Sequence, residues 1–106
     1  ELGFKIEYER TEDKFVFMSF QDSQFMFEQI HDDGWNIGEL VYPLGRGINF
    51  SIAVDDVEEL YKLVNHLNIE LYRELTRNIY QVNGIDEMQI EFLIQDPNGY
   101  LLRFTN

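Results

Sequence analysis

The 106-residue sequence predicts an α+β fold in which antiparallel strands outnumber helices. Most of the chain alternates apolar and polar residues over short segments, which is the period of a half-buried strand. Residues 56–67 instead have the 3.6-residue period of an amphipathic helix. The order of these segments is similar in the two halves of the chain, which indicates an internal repeat of two related modules.

The first half is predicted to be a meander of three strands. Residues 4–9, 14–20 and 23–30 have strand character and are separated by short connections, so neighbouring strands should be antiparallel. Gly3 stands directly before the first strand, as a glycine does at the end of a helix. We therefore expect the strand and helix that open this module to precede Glu1.

Residues 31–47 interrupt the strand pattern with four glycines and one proline, which predicts a long crossover loop. This loop contains Trp35, the only tryptophan of the chain. Two interpretations of Trp35 stay open. The indole is either a lid over the core or a flat surface for a planar or cationic ligand, with Asp32 and Asp33 beside it.

The second half is predicted to contain a strand, a helix and further strands, at residues 48–54, 56–67, 69–76, 78–83, 87–95 and 100–105. Asp56 followed by Glu59 matches a capping box at the start of the helix. The alternating apolar residues of the first strand, from Ile48 to Val54, are expected to face this helix. Asn49 and Ser51 then lie on the opposite face of the sheet.

The composition limits the partners of the protein. Its 20 acidic and 8 basic residues give a formal charge of −12, which repels phosphate backbones and anionic lipid and attracts cationic ligands. Nucleic acid is therefore excluded as a partner. No apolar run approaches the ~20 residues that cross a bilayer, and no secretory signal is visible. Without cysteine there is neither a disulfide nor a thiol nucleophile. We expect no membrane partner and a cytoplasmic location.

Three stretches, LGFKIEYER, GRGINFSIAVDDVEELYKLV and FLIQDPNGYLLRF, resemble the vicinal oxygen chelate superfamily. This superfamily includes glyoxalase I, extradiol dioxygenases, and fosfomycin and bleomycin resistance proteins. The resemblance implies paired βαβββ modules that form a cupped mixed sheet around a cleft, commonly in a homodimer. It also implies one domain over residues 1–106, with the remainder of the first module at 1–30, the crossover at 31–47 and the second module at 48–106.

Metal-dependent members of the superfamily place four side chains in the cup, mostly histidine and glutamate. The resemblance puts the second-module positions at Asn49 and Arg103, and one first-module position at Glu28. Asparagine is a weak ligand, and arginine is a permanent cation without a free lone pair. We therefore expect no metal, no other cofactor and no catalytic residue. His31 is expected to be a solvated loop histidine and not a replacement ligand.

Strand alternation places Arg103 and Glu91 inside the cup, and two interpretations of the two side chains stay open. They either form an ion pair that satisfies both charges, or Arg103 orients an anionic or carbonyl group of a bound molecule. The candidate ligand-binding residues are Glu28, Trp35, Asn49, Ser51, Glu91 and Arg103.

The predicted function is that of a metal-free small-molecule-binding protein similar to bleomycin resistance proteins, which sequester a bulky cationic glycopeptide antibiotic. Whether the protein is an enzyme stays open, although the two metal positions favour binding. The alternatives are a metal-dependent lyase, isomerase or dioxygenase, and an interaction domain whose cup is filled by its own side chains.

Overall fold

The computed structural model describes residues 2–106, which divide into two compact units. The first unit ends at Leu40, and the second spans Val41–Asn106. The boundary between them lies inside the predicted crossover at 31–47. The expectation of one domain over the whole chain stays a prediction.

The first unit contains a three-stranded antiparallel sheet of order β1-β2-β3, with β1 at Lys5–Arg10, β2 at Phe15–Phe20 and β3 at Ser23–Glu28. Aromatic pairs lie on both faces of this sheet. The ring centroids of Phe4 and Phe20 are 4.6 Å apart on one face, and those of Tyr8 and Phe17 are stacked at 5.0 Å on the other. Such cross-strand aromatic contacts stabilise a small sheet. The predicted meander is confirmed.

The second unit is a complete βαβββ module, composed of β4 at Asn49–Ala53, α1 at Val57–His66, β5 at Leu71–Val82, β6 at Ile85–Gln95 and β7 at Leu101–Thr105. The sheet order is β4-β7-β6-β5. The β4 and β7 strands are parallel, while the other neighbouring pairs are antiparallel. The α+β class predicted from the sequence is confirmed.

The prediction of separate strands at 69–76 and 78–83 is wrong. Both segments belong to the single strand β5, which pairs with β6 through a turn at Asn83 and Gly84. The polar run Thr76-Arg77-Asn78 interrupts the apolar alternation and imitates a strand end in the sequence, but these residues pair in continuous register with β6. Both turn residues have positive φ, at 54° and 80°, as a two-residue hairpin turn of Asn-Gly requires.

Helix α1 begins as the sequence predicts. The Oδ1 atom of Asp56 accepts a hydrogen bond of 3.0 Å from the backbone N–H of Glu59, which satisfies a donor that the helix itself leaves free. The buried residues Val57, Leu60 and Val64 recur at helical spacing. No helix within residues 2–106 is long and apolar enough to span a membrane.

One face of the second sheet packs into a core with α1. The ring of Phe92 lies 5.3 Å from both Tyr61 of the helix and Phe104 of β7. The apolar residues from Ile48 to Val54 were all expected to face the helix. This expectation is wrong for the first residues of the strand. Ile52 is buried, but Phe50 is 42% exposed and packs against Tyr100 in the turn between β6 and β7, with the ring centroids 5.8 Å apart.

Candidate functional site

The second sheet has a polar face on the side opposite α1. Residues of β4, β6 and β7 alternate with the buried core residues, so their side chains share this face. In register, Asn49 is beside Leu101, Ser51 is beside Arg103, and Glu91 is opposite Thr105. We define the polar face as Asn49, Ser51, Gln89, Glu91, Arg103 and Thr105.

Arg103 and Glu91 meet at the centre of the polar face. Their strand positions are diagonal, because Arg103 is directly opposite Leu93. The Nη1 atom of Arg103 lies 3.5 Å from Oε2 of Glu91, and the two side chains are 32% and 10% exposed. The predicted contact between the two charges is confirmed.

The contact does not satisfy the hydrogen-bonding capacity of either group. Within residues 2–106, Oε2 of Glu91 and Nε of Arg103 are both buried and have no hydrogen-bond partner. The hydroxyl opposite Glu91 is engaged elsewhere, since Thr105 Oγ1 accepts from Gln89 Nε2 at 3.3 Å and donates to Asn106 Oδ1 at 3.5 Å. Because buried polar groups without partners are costly, this pair is an incomplete arrangement.

The polar face does not fit a divalent metal ion. The carboxylate of Glu91 already lies against the Arg103 cation, and Asn49 and Ser51 offer only neutral oxygen atoms. Across residues 2–106, no three or more His, Asp or Glu side chains come together in a group that could hold a metal. We therefore derive no chemistry that passes through a metal on this face.

The first unit brings Glu28 and His31 together at the end of β3. Oε1 of Glu28 lies 3.3 Å from Nε2 of His31, and both side chains are nearly half exposed. The contact lies in an open depression of about 290 Å³, lined by Glu12, Asp13, Lys14, Glu28, Gln29, Ile30 and His31. His31 is partly solvated as expected, but its pairing with Glu28 was not foreseen from the sequence.

Trp35 is fully exposed, with a relative accessibility of 102%. The interpretation of its indole as a lid over the core is therefore wrong. Short turns shape the loop around it, with Gly34 N–H donating to His31 O at 3.1 Å and Asn36 N–H donating to Gly34 O at 2.9 Å. The role of Trp35 as a ligand platform stays a prediction.

Gln89 and Thr105 are two further residues of the polar face that were not predicted from the sequence as site residues. Both share the polar face with Glu91 and Arg103, and the Thr105 hydroxyl donates to Asn106 and not to Oε2 of Glu91. Their positions two residues from Glu91 and Arg103 were the available signal, because residues i and i+2 of a strand share a face.

The turn between β6 and β7, at residues 96–100, contacts the loop that leads into β4. Oδ1 of Asp96 accepts from the backbone N–H groups of Asn98 and Tyr100, at 3.0 and 2.8 Å. Leu44 N–H donates to Asn98 O at 2.9 Å, and a Cβ atom on Gly99 would clash with Pro43. The turn therefore fixes the loop that delivers Asn49 to the edge of the polar face.

Comparison with known proteins agrees with this architecture. The chain is 35% identical to a glyoxalase/bleomycin resistance protein/dioxygenase superfamily member from Vibrio splendidus 12B01, over 98% of this chain and 78% of that one, with a TM-score of 0.52. A glyoxalase/bleomycin resistance protein/dioxygenase from Alicyclobacillus acidocaldarius is 26% identical, over 98% and 73% of the two chains, with a TM-score of 0.64.

A bleomycin-binding protein solved in complex with bleomycin shares the fold at 21% identity, over 99% of this chain and 80% of that one, with a TM-score of 0.62. No protein-family model and no curated protein matches the sequence. The 35% identity extends over nearly the whole chain and over most of the Vibrio protein, and the second unit has the βαβββ order that the resemblance implies. The chain therefore belongs to the glyoxalase/bleomycin resistance protein/dioxygenase superfamily.

Proposed function

We propose that this protein binds a bulky cationic small molecule without a metal, in the manner of bleomycin resistance proteins. The observation that carries the proposal is the contact of Arg103 with Glu91, since the resemblance to metal-dependent relatives implies a metal-ligand position at Arg103. A guanidinium at that position repels a divalent cation and supplies no lone pair. Binding, and not metal-assisted catalysis, is the use that these residues support best.

The charge of the chain supports a cationic ligand. A net charge of −12 raises the local concentration of cations around the protein and speeds their association. Asn49 and Ser51 are exposed on the polar face and offer hydrogen-bonding groups to a ligand that arrives there. The fold neighbour that was solved with bleomycin makes a cationic glycopeptide antibiotic the first candidate to test.

We include a second copy of the chain among the partners. The paired strands β5 and β6 extend beyond β7, and their outer part exposes Ile79, Val82, Ile85 and Met88. A two-stranded ribbon with exposed apolar side chains is only marginally stable alone and favours association. A homodimer is therefore expected, and sedimentation equilibrium tests it. A mass of one chain at all concentrations would contradict it.

Isothermal titration with metal-free bleomycin tests the binding function. We expect saturable binding that weakens as salt is raised, because screening reduces the attraction between the acidic protein and the cationic ligand. Asn49→Leu should weaken binding, while Asn65→Leu, on the exposed surface of α1, is the matched control. Absence of saturable heat at low salt would reject bleomycin as the ligand and remove the main support for this function.

Trp35 is tested separately. Since it is the only tryptophan, its emission reports directly on any ligand that stacks against the indole. We expect Trp35→Ala to weaken bleomycin binding, while Ile37→Ala, at a similarly exposed position of the same loop, should not. Unchanged emission on saturation with bleomycin would exclude Trp35 from the binding surface.

A further inference from the structure

The two unsatisfied atoms of the polar face differ in hydrogen-bonding character. Oε2 of Glu91 can only accept, and Nε–H of Arg103 can only donate. Nη1 of Arg103 lies 3.5 Å from Oε2 of Glu91, and Nε is bonded to the same carbon as Nη1. The unbonded donor is therefore near the unbonded acceptor. A group that completes both must therefore offer a donor and an acceptor side by side.

The charges of Glu91 and Arg103 further restrict which chemical group of a ligand can bind to them. A carboxylate would accept from Arg103 but would meet the negative charge of Glu91. An amidinium or ammonium group would donate to Glu91 but would meet the positive charge of Arg103. A neutral group avoids both repulsions in a site where Glu91 is 8% exposed and charges are poorly screened.

We propose that Glu91 and Arg103 together bind a carboxamide, or another neutral amide, of the ligand. The amide N–H donates to Oε2 of Glu91, and the amide C=O accepts from Nε–H of Arg103. This inference rests on the proposed binding function and specifies which chemical group the polar face recognises. The cationic part of the ligand is then held by other acidic groups and not by this pair.

The neighbouring side chains do not satisfy Oε2 of Glu91 and Nε of Arg103, so both atoms are available to a ligand. Thr105 is committed to Gln89 and Asn106, and Leu93 opposite Arg103 is apolar and 7% exposed. Thr76 is opposite Glu91 on β5, and its hydroxyl accepts from Asn78 at 3.3 Å but does not bond to Oε2 of Glu91. Ser51 beside Arg103 is exposed and the Arg103 side chain is 32% exposed, so a ligand approaches from the β4 side. The pair must open for its two buried atoms to meet the amide.

Three small probes that share one carbon skeleton test the inference: benzamide, benzoate and benzamidinium. Backbone NMR shifts of the isotope-labelled full chain are followed during each titration. We expect benzamide to shift the amide signals of β6 and β7 around Glu91 and Arg103 in a saturable way. Benzoate and benzamidinium should bind there about tenfold more weakly or not at all, as the loss of one charge-assisted hydrogen bond implies.

Two conservative variants and a control complete the test. Glu91→Gln and Arg103→Lys each remove one of the two recognition groups, and both should weaken benzamide binding about tenfold. Glu87→Gln makes the same charge change on an exposed position of β6 and should leave binding unchanged. Dispersed spectra of the variants show that each is folded.

Equal binding of the three probes, no saturable benzamide response at these strands, or unchanged affinity in both variants would overturn the inference. The result is separable from that of the bleomycin titration. Benzamide binding without bleomycin binding retains the amide site and rejects the cationic glycopeptide. Bleomycin binding without a benzamide response retains the proposed function and rejects the amide site.

Discussion

Removal of Arg103 is the sharpest test of how the polar face is stabilised. Arg103→Met keeps much of the side-chain volume but leaves the carboxylate of Glu91, 10% exposed, without its cation. Glu91→Gln removes the opposite charge at nearly constant shape. The double variant then carries neither charge, so the four proteins form a complete thermodynamic cycle.

The magnitude follows from the distance and the burial. At 3.5 Å and an effective dielectric constant of about 20, two unit charges attract by about 5 kcal/mol. Desolvation of the two groups offsets much of this, and their unsatisfied atoms remove the gain of good hydrogen bonds. We therefore expect a coupling free energy of about 1–3 kcal/mol between the two sites. Arg103→Met should be the more destabilising single change.

Urea unfolding followed by circular dichroism measures the four free energies of unfolding. Arg77 and Glu58 supply a matched control, because the same residue types meet at 2.5 Å with side chains 51% and 48% exposed. Their coupling should stay below about 1 kcal/mol despite the shorter distance, since solvent screens an exposed pair. If the coupling of the buried pair does not exceed that of the exposed pair, burial does not determine its strength and the reasoning is wrong.

Four further outcomes are expected. Gly99→Ala should cost about 1–3 kcal/mol of unfolding free energy, because φ is +95° and the new Cβ would clash with Pro43; Gly38→Ala, with open space around it, should change little by the same urea assay. Asp56→Ala should cost about 1 kcal/mol through loss of the helix cap, and Asp56→Asn should restore most of it. Phe104→Ala, at a fully buried position, should lower the free energy of unfolding by about 3–5 kcal/mol. A decrease below about 1 kcal/mol would contradict the packing described for the second sheet. Elemental analysis should find no stoichiometric divalent ion in the purified protein, and one ion per chain would refute the metal-free proposal.

The sequence by itself determined the features that depend on local covalent geometry. Strand alternation placed Glu91 and Arg103 on one face, and the start of α1 followed from the capping residue Asp56. These features were predictable because they follow from backbone dimensions alone. Side chains alternate in direction along a strand, and a capping side chain reaches the third residue of its helix.

Only the tertiary structure decided where strands pair and how far each polar group is satisfied. The strand β5 continues through Thr76, Arg77 and Asn78 because these residues pair with β6, so the local pattern misplaced a strand end. The Thr105 hydroxyl donates to Asn106 instead of Glu91, and this choice depends on how the side chains meet in three dimensions. Sequence alternation can place two charges on one face, but the bonds left unmade depend on the three-dimensional neighbours of each atom.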